Sequence, residues 1–218
     1  MATKSKIRVV YVTGSSFKKE ENAVFLDQCS LDDGTPVREV FDFDIRPVPI
    51  QEILNVDLRV MVSEEVVSAY SQLKVPCIVE HAGLLFSEYA DVSYPGGLTK
   101  PMWDALKDRF VQETGSAGRG AIARAVIAYC DGMKVETFVG ERTGKIADKP
   151  RGRREFYWDT VFIPEDPTGK AAGMTYAEIV EDPSLGLGHK IGVLSQSSQA
   201  MKAFLEYRRQ VGEPQLWR

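Results

Sequence analysis

The N-terminal part of the chain alternates between β-branched runs and amphipathic stretches, and this alternation constrains the fold more than any other feature. The periodicity predicts, in order, a strand over residues 7–12, a helix over 17–28, a strand over 37–43, a helix over 63–73 capped by Ser63, and a buried strand over 76–80. This β-α-β order favours an α/β sheet flanked by helices, with the working residues at the strand ends.

The second half of the chain predicts further strands and a closing helix. Residues 122–129 and 135–139 flank the turn Asp131-Gly132, which is typical of a β-hairpin and makes the sheet mixed. A glycine-punctuated connection is predicted over 140–152, a short strand over 161–163, and an amphipathic helix over 195–209. No repeat or inter-domain linker interrupts residues 1–218, so we expect a single domain.

Composition disfavours several classes of protein. With 27 Lys and Arg against 31 Asp and Glu, the net charge is −4, so bulk charge does not draw the chain to DNA, RNA or anionic lipid. No window approaches the roughly 18 to 20 apolar residues of a membrane span, and the N-terminal apolar run is too short for a signal peptide. Cys29, Cys77 and Cys130 form no CxxC pair and are interpreted as free thiols. We therefore expect a cytoplasmic protein.

The turn after the first strand is a candidate anion site. Thr13-Gly14-Ser15-Ser16 places hydroxyls and backbone N–H groups where a strand enters a helix, and Lys18 follows. A triphosphate would fit there, although an ordinary capped turn with a solvated basic face has the same pattern. The segment 140–146 is not a P-loop, because only three residues separate its glycines and Ile146 stands where Ser or Thr must hold magnesium.

A basic run stands directly before aromatic residues in the second half of the chain. Residues 149–154 include Arg151 and precede Phe156-Tyr157-Trp158-Asp159. Rings beside cations suit the stacking of a base together with the pairing of its phosphates. A solvated loop is the alternative, and one short basic run in an acidic chain disfavours an extended nucleic acid as the ligand.

Short motifs also occur in one order along nearly the whole chain. They are Thr13-Gly14-x-x-x-Lys18-x-x-Glu21, Gln51-Glu52, Val79-Glu80-x-x-Gly83-Leu84, Pro95-Gly96, Gly140-x-x-x-Gly144-x-Ile146, Pro150-Arg151-Gly152, Phe156-Tyr157-Trp158-Asp159-x-x-Phe162-x-Pro164 and Thr175-Tyr176-Ala177-Glu178. As an ordered set they resemble the HAM1 family of inosine triphosphate pyrophosphatases. The resemblance implies an elongated, two-lobed α/β fold with a long twisted mixed sheet flanked by helices, and a nucleotide in the cleft between the lobes.

The same resemblance implies a chemistry and a set of site residues. Members of the family are usually homodimers that use Mg²⁺ to split ITP, dITP or XTP into a monophosphate and pyrophosphate. The implied positions are Thr13, Ser15, Lys18 and Lys100 at the phosphates, Glu52 and Glu80 at the metal, Arg151 in the closing loop, Phe156, Trp158 and Asp159 at the base, and Ser195 and Gln196 at the purine's oxygen edge. Carboxylate oxygens are the ligands that Mg²⁺ prefers.

The chain departs from the family pattern at its candidate catalytic residue. His81 stands where the family has the aspartate that activates water. An imidazole can take a proton near neutral pH, but it brings no carboxylate oxygen to a magnesium site. Because losing a positioned base costs about 10²- to 10⁴-fold in rate, we expect hydrolysis to be weak or absent.

Other departures fall on the base-binding residues. Tyr157 replaces a family glycine, and Ser195-Gln196-Ser197 replaces the Ser-His-Arg that reads the purine. Lys190 lies one place out of register with the family's upstream lysine. Neutral donors bind a 6-oxo group about half as strongly as charged ones, so we expect weaker selection of hypoxanthine over adenine than in the family.

Two functions remain open. The first is a nucleotide sensor that binds dITP or ITP with little hydrolysis, because slow turnover preserves the signal. The departures resemble those of the HAM1-like subunit of the Kongming anti-phage system, which implies a SIR2-type, NAD-consuming effector as a partner. The alternative is an active Mg²⁺-dependent pyrophosphatase in which the His81 imidazole, or a carboxylate such as Asp91, serves as the base.

Overall fold

A seven-stranded mixed sheet organises the chain. The computed structural model describes residues 5–212, apart from the side chains of residues 154–156. The strands are β1 (Ile7–Val12), β2 (Phe41–Arg46), β3 (Cys77–Phe86), β4 (Pro95–Gly96), β5 (Gly120–Cys130), β6 (Val135–Ile146) and β7 (Phe162–Pro164). They lie in the order β2-β1-β3-β5-β6-β7, with β4 paired to β3. Strand β1 runs parallel to β2 and β3, whereas the pairs from β3 through β7 are antiparallel, so the predicted mixed sheet is confirmed.

Helices flank this sheet. The α-helices are α1 (Ser16–Gln28), α2 (Val37–Val40), α3 (Leu58–Leu73), α4 (Thr99–Leu106), α5 (Phe110–Glu113), α6 (Tyr176–Glu181), α7 (Gly186–His189) and α8 (Gln196–Val211). Short 3-10 helices cover Ser87–Val92, Lys107–Arg109 and Arg154–Thr160, and a π-helix covers Lys190–Leu194. Within the described residues, none of these helices combines the length and the apolar character that crossing a membrane requires.

Several predicted segments differ from the structure in type or extent. Residues 37–40 form α2 instead of a strand, because Pro36 caps the helix with a φ of −57° and packing of the fully buried Val37 overrides its β propensity. Helix α3 begins at Leu58, where Asp57 rather than Ser63 accepts the capping hydrogen bond. The predicted connection over 140–152 is strand up to Ile146, because β6 pairs with β5 from Val135 to Lys145 and Ile146 pairs with Phe162 of β7.

Strand β3 is longer than predicted, and this changes the setting of the site. It continues past Glu80 to Phe86 because Gly83 lets β4 approach closely: a Cβ at this position would lie 2.2 Å from the Gly96 carbonyl oxygen. Strand β1 pairs only with the first part of β3, through Val10 and Tyr11. Beyond that pairing the chain of β1 turns away, which leaves the middle of β3 facing an opening.

The two faces of the sheet bury separate apolar clusters. Alternate residues of β1 and β3, such as Tyr11 and Ile78, pack with α1 and α8, whereas Val10 and Val79 pack with α3. A further cluster surrounds Trp103 at the other end of β3 and β5. The division of residues 1–218 into one domain with two lobes stays a prediction.

Candidate functional site

An open cavity of about 790 Å³ lies where β1 ends beside the middle of β3. Its walls come from the turn before α1, the segment before α3, α3 itself, β3, α4, the 3-10 helix Arg154–Thr160 and the start of α8. The predicted site residues that line it are Thr13, Ser15, Lys18, Glu52, Glu80, His81, Lys100, Trp158, Asp159 and Gln196. Residues from distant parts of the sequence are thus brought to one surface.

Local capping geometry shapes the turn that the sequence predicts to bind an anion. Ser15 is the N-cap of α1, and its hydroxyl accepts a hydrogen bond from the Lys18 backbone N–H at 3.4 Å. The Thr13 hydroxyl accepts one from the Ser15 N–H at 3.1 Å. The Lys18 ammonium donates to the backbone carbonyl of Glu80, which fixes a positive charge next to β3. This part of the cavity wall therefore combines a helix N-terminus with a positioned lysine.

Strand alternation sends the side chains of Glu80 and His81 to opposite faces of the sheet. Glu80 points to the side of α8, where its carboxylate accepts hydrogen bonds from the hydroxyls of Tyr11 and Ser197, the latter at 2.7 Å. Burial raises the pKa of Glu80, but Lys18 and these two hydroxyls outweigh burial and hold that pKa below its ordinary value. Glu80 is therefore an ionised carboxylate in a buried position.

His81 faces α3 and meets a second carboxylate. Its Nε2 lies 2.7 Å from Oε2 of Glu65, a residue of α3 with an exposed fraction of only 2%. Both residues line the cavity. The sequence pattern does not distinguish Glu65 from its neighbour Glu64, because both lie in a predicted amphipathic helix. The contact with His81 follows only from the packing of α3 against β3.

The oxygen donors of the cavity fit a magnesium ion that arrives with a triphosphate. Mg²⁺ is commonly held by one or two carboxylates together with substrate phosphates and water. Glu52 is exposed in the cavity wall and makes no hydrogen bond to another described residue, whereas Glu80 is engaged by two hydroxyls. Across residues 5–212, no group of three or more His, Cys, Asp or Glu gathers into a metal cluster, so phosphate oxygens would have to complete the shell.

A buried ionic cluster also lines the cavity. The Lys190 ammonium donates to Asp159 at 2.6 Å and to Glu21 at 2.8 Å, and it lies 5.1 Å from the centroid of the Tyr176 ring. Burial lowers the pKa of Lys190, but the two carboxylates outweigh it and hold that pKa well above its ordinary value. Lys190, which is out of register in the family pattern, thus contacts the predicted base-reading aspartate directly.

The residue that replaces the family glycine has a strained backbone. Tyr157 lies within the 3-10 helix at φ +54° and ψ −133°, a backbone conformation that residues other than glycine rarely adopt. Its ring is 38% exposed and meets the edge of Phe17. The neighbouring Trp158 is buried, with its ring against Phe162. The predicted stacking residue Phe156 lies outside the side chains that the structure describes.

Substituting Tyr157 by glycine should therefore stabilise the fold. Relief of strain is worth about 1 to 3 kcal/mol, while glycine costs roughly 1 kcal/mol in backbone entropy, so we expect the free energy of unfolding to rise by about 1 kcal/mol. Urea denaturation of both proteins measures the difference. Tyr89→Gly, at a half-exposed tyrosine with a φ of −123°, is the matched control and should be destabilising; equal losses in both variants would contradict the strain at Tyr157.

Two predicted site residues do not line the cavity. The Arg151 guanidinium donates to the Gly173 carbonyl at 2.6 Å and lies 3.4 Å from Glu178. Ser195 is buried as the N-cap of α8, where its hydroxyl accepts a hydrogen bond from the Ser198 N–H. Arg153 lines the cavity instead. Roles for Arg151 and Ser195 at a nucleotide stay predictions, since neither side chain reaches the cavity in this structure.

Comparison with known proteins gives consistent matches. The sequence matches the Ham1 family over residues 9–206. It is 31% identical over 150 residues to the dITP/XTP pyrophosphatase of Hyperthermus butylicus, covering 68% of this chain and 72% of that relative. It is 43% identical over 82 residues to the dITP/XTP pyrophosphatase of Pyrobaculum aerophilum, a match that spans 38% of this chain and only 41% of the relative's length.

A solved structure shares the fold. The Staphylococcus aureus Ham1 protein superposes with a TM-score of 0.62 at 18% sequence identity, covering 93% of this chain and 100% of that chain. Together with the strand order, this match confirms the predicted α/β fold with a mixed sheet flanked by helices.

Proposed function

The chain belongs to the Ham1 family, and from this premise we propose that its cavity binds a purine nucleoside triphosphate, dITP or ITP, and hydrolyses it slowly or not at all. The observation that carries the proposal is the setting of β3: Glu80 and Lys18 are positioned for a charged ligand, while His81, where the family has a catalytic carboxylate, is engaged by Glu65.

Two groups of residues in the cavity support binding. Lys18, Lys100 and the N-terminus of α1 supply positive charge for phosphate oxygens, and charge-assisted bonds of this kind are about twice as strong as neutral ones. Trp158 lines the same cavity with an aromatic ring, and Asp159 with Lys190 offers an acceptor and a donor for the edge of a base. A nucleoside triphosphate carries both kinds of group.

The middle of the cavity supports slow hydrolysis. A general base must take a proton from the water that attacks the α-phosphorus, and the carboxylate expected for this step is absent at position 81. The Glu80 oxygens already accept two hydrogen bonds, so in this proposal the Glu80 carboxylate stays ionised and does not act as the general base. Glu52 and Glu80 would hold magnesium, which when bound neutralises charge on the triphosphate.

We further propose that the bound nucleotide is a signal. A protein that retains dITP without destroying it can regulate a partner, and the resemblance to the HAM1-like subunit of the Kongming system suggests a SIR2-type effector in anti-phage defence. In this proposal the protein is a cytoplasmic homodimer. Co-purification of a tagged copy with a SIR2-type protein, with and without added dITP, tests the partner separately from nucleotide binding.

An active pyrophosphatase is the second candidate. It is favoured by the relatives at 31% and 43% identity that are named dITP/XTP pyrophosphatases. It is also compatible with the Glu65–His81 contact, since a carboxylate partner can orient an imidazole for proton transfer. In that case His81 takes the proton from water, the water oxygen bonds to the α-phosphorus, and the bond from the α-phosphorus to pyrophosphate breaks.

One incubation separates the two candidates. Purified protein is mixed with MgCl₂ and dITP, ITP, XTP or dATP, and both retained nucleotide and released pyrophosphate are followed over time. Stoichiometric retention of dITP or ITP with little pyrophosphate supports the sensor. Many turnovers at ordinary enzyme rates would replace it with the pyrophosphatase, and absence of both binding and turnover would contradict the nucleotide site itself.

Lys18→Met tests the phosphate end of the site. Removing one charge-assisted contact should weaken the affinity for Mg²⁺-dITP by about 10- to 100-fold, because the ammonium is already positioned beside Glu80. Isothermal titration calorimetry measures the change. Lys19→Met is the matched control, since Lys19 is an exposed neighbour on the same helix that does not line the cavity. Equal affinity in the two variants would contradict the assignment of Lys18.

A further inference from the structure

The rings of Phe17 and Tyr157 join two walls of the cavity. Both residues line it, and their ring centroids lie 6.4 Å apart at an interplanar angle of 86°, which is an edge-to-face contact. Phe17 lies in the first turn of α1, whereas Tyr157 lies in the 3-10 helix Arg154–Thr160. The contact therefore connects two elements that are far apart in the sequence and that both border the same space.

The buried Lys190 cluster joins the same two elements. Glu21 lies one helical turn after Phe17 and therefore on the same face of α1. It shares the Lys190 ammonium with Asp159, which follows Tyr157 by two positions. Lys190 is buried, whereas Tyr157 is exposed. Of these two links, the ring contact is therefore the one that can open without leaving buried charges unpaired.

The strained backbone of Tyr157 is held in place by its neighbours. Trp158 is buried in the apolar cluster around Trp103, and the Thr160 hydroxyl donates to the Tyr157 carbonyl at 2.7 Å. Strained conformations persist only where surrounding contacts fix them, and they cluster at ligand clamps and active sites. Glycine would fit this backbone without strain but has no ring. The contact with Phe17 is thus a feature that the strained tyrosine provides and glycine could not.

We propose that the Phe17–Tyr157 contact must open for a nucleotide to enter or leave the cavity, and that it thereby slows nucleotide exchange. This inference rests on the proposed function, because it assumes a nucleotide that contacts both walls. Phe17 directly precedes Lys18, which the proposed function assigns to phosphate, and Tyr157 directly precedes Trp158, which it assigns to the base. A nucleotide held by both residues is released when the two walls move apart, and that movement breaks the ring contact. Slow release suits a protein that retains its ligand.

The proposal makes a specific statement about rates. If the contact forms both with and without bound nucleotide, removing it speeds association and dissociation by the same factor and leaves Kd nearly unchanged. The contribution of an edge-to-face ring pair corresponds to a factor of about 2 to 10 in rate. A ring that instead touched the nucleotide would stabilise only the bound state, so its loss would raise the dissociation rate and Kd together.

Chase experiments measure the dissociation rate. Protein loaded with Mg²⁺ and [α-³²P]dITP is mixed with excess unlabelled dITP, and retained label is followed by filter binding. Phe17→Ala and Tyr157→Ala should each release the label about 2- to 10-fold faster than wild type. The double variant should be no faster than the faster single variant, because both substitutions remove one contact. Tyr157→Phe keeps the ring and should match wild type.

A second ring pair supplies the matched control. Tyr89 makes an edge-to-face contact with Tyr94 at a centroid distance of 5.9 Å, and neither residue lines the cavity. Tyr89→Ala should therefore leave the release rate unchanged. Wild-type release rates in Phe17→Ala and Tyr157→Ala would overturn the proposal. A rise in Kd as large as the rise in the dissociation rate would also overturn it, because the rings would then be binding the nucleotide itself.

Fluorine NMR tests the contact independently of any ligand. The chain has eight tyrosines, and the Tyr157 signal of protein labelled with 3-fluorotyrosine is assigned by its loss in Tyr157→Phe. Phe17→Ala should shift this signal, because it removes the neighbouring ring. The signal of Tyr89 should stay where it is in wild type and shows that the variant is folded. A Tyr157 signal that ignores Phe17→Ala would overturn the proposal whatever the cavity binds.

The outcomes separate this inference from the function on which it rests. If the Tyr157 signal responds to Phe17→Ala but wild-type protein binds no dITP, the ring contact holds, and the proposed ligand and its exchange are wrong. If dITP binds and leaves all variants at one rate, the nucleotide site holds and the ring contact has no role in exchange.

Discussion

Lys190→Met is expected to lower the free energy of unfolding by about 3 to 5 kcal/mol, because it leaves two buried carboxylates without their counter-ion. The Lys190 side chain is only 7% exposed, and Asp159 and Glu21 both lie within 2.8 Å of its ammonium. Burial would then disfavour the ionised forms of both acids. Urea denaturation at neutral pH measures the loss, with the linear dependence on denaturant as the check on two-state unfolding.

Matched variants identify the cause of that loss. Lys202→Met removes an exposed lysine paired with Asp32 and should cost no more than about 1 kcal/mol. Neutralising the acids in the triple variant Lys190→Met, Asp159→Asn and Glu21→Gln should recover much of the stability. If the triple variant is as unstable as Lys190→Met alone, lost packing against Tyr176 rather than unpaired charge explains the effect.

His81→Asp should raise the rate of pyrophosphate release from Mg²⁺-dITP by about 10²-fold or more, if a missing carboxylate base is the main defect. The introduced carboxylate would face Glu65, which is buried at 2% exposure. Two adjacent carboxylates cannot both ionise easily, so the substitution is best made together with Glu65→Gln. Pyrophosphate is followed at saturating dITP, with Glu65→Gln alone as the control.

An unchanged rate would give a different explanation of slow turnover. The strained Tyr157 and the polar side chains of Gln196 and Ser197, all of which line the cavity, would then be the groups that limit catalysis. If Tyr157→Gly, added to His81→Asp and Glu65→Gln, raises the rate of pyrophosphate release, the strained turn at Tyr157 limits catalysis.

The sequence predicts well those parts of the structure that depend on short-range contacts. Ser15 caps α1 through a bond to an N–H three residues away, so the capped turn between β1 and α1 can be predicted from the local pattern alone. The extent of β3 was not predictable in this way, since it depends on the close approach of β4 at Gly83, twelve positions before Pro95.

The missed parts of the site depend on long-range contacts. Glu65 looks like one of two adjacent helix acids until α3 is placed against β3, and Lys190 meets Glu21 across 169 positions of sequence. Helix periodicity and motif spacing do not predict which buried charged residues pair in the folded chain. Departures from the family pattern, such as His81 and Tyr157, therefore marked unusual positions but did not predict which residues they contact.

The packing of β1 against α8 has a consequence for how the chain acquires its structure. Tyr11 near the start of the sequence and Phe204 near its end belong to one apolar cluster, together with Phe25 of α1. Contacts of such high sequence separation slow folding, because loop entropy is lost before burial compensates for it. During synthesis, β1 therefore cannot pack against α8 until α8 has left the ribosome. Until then this apolar face of the sheet is exposed and can aggregate or bind a chaperone.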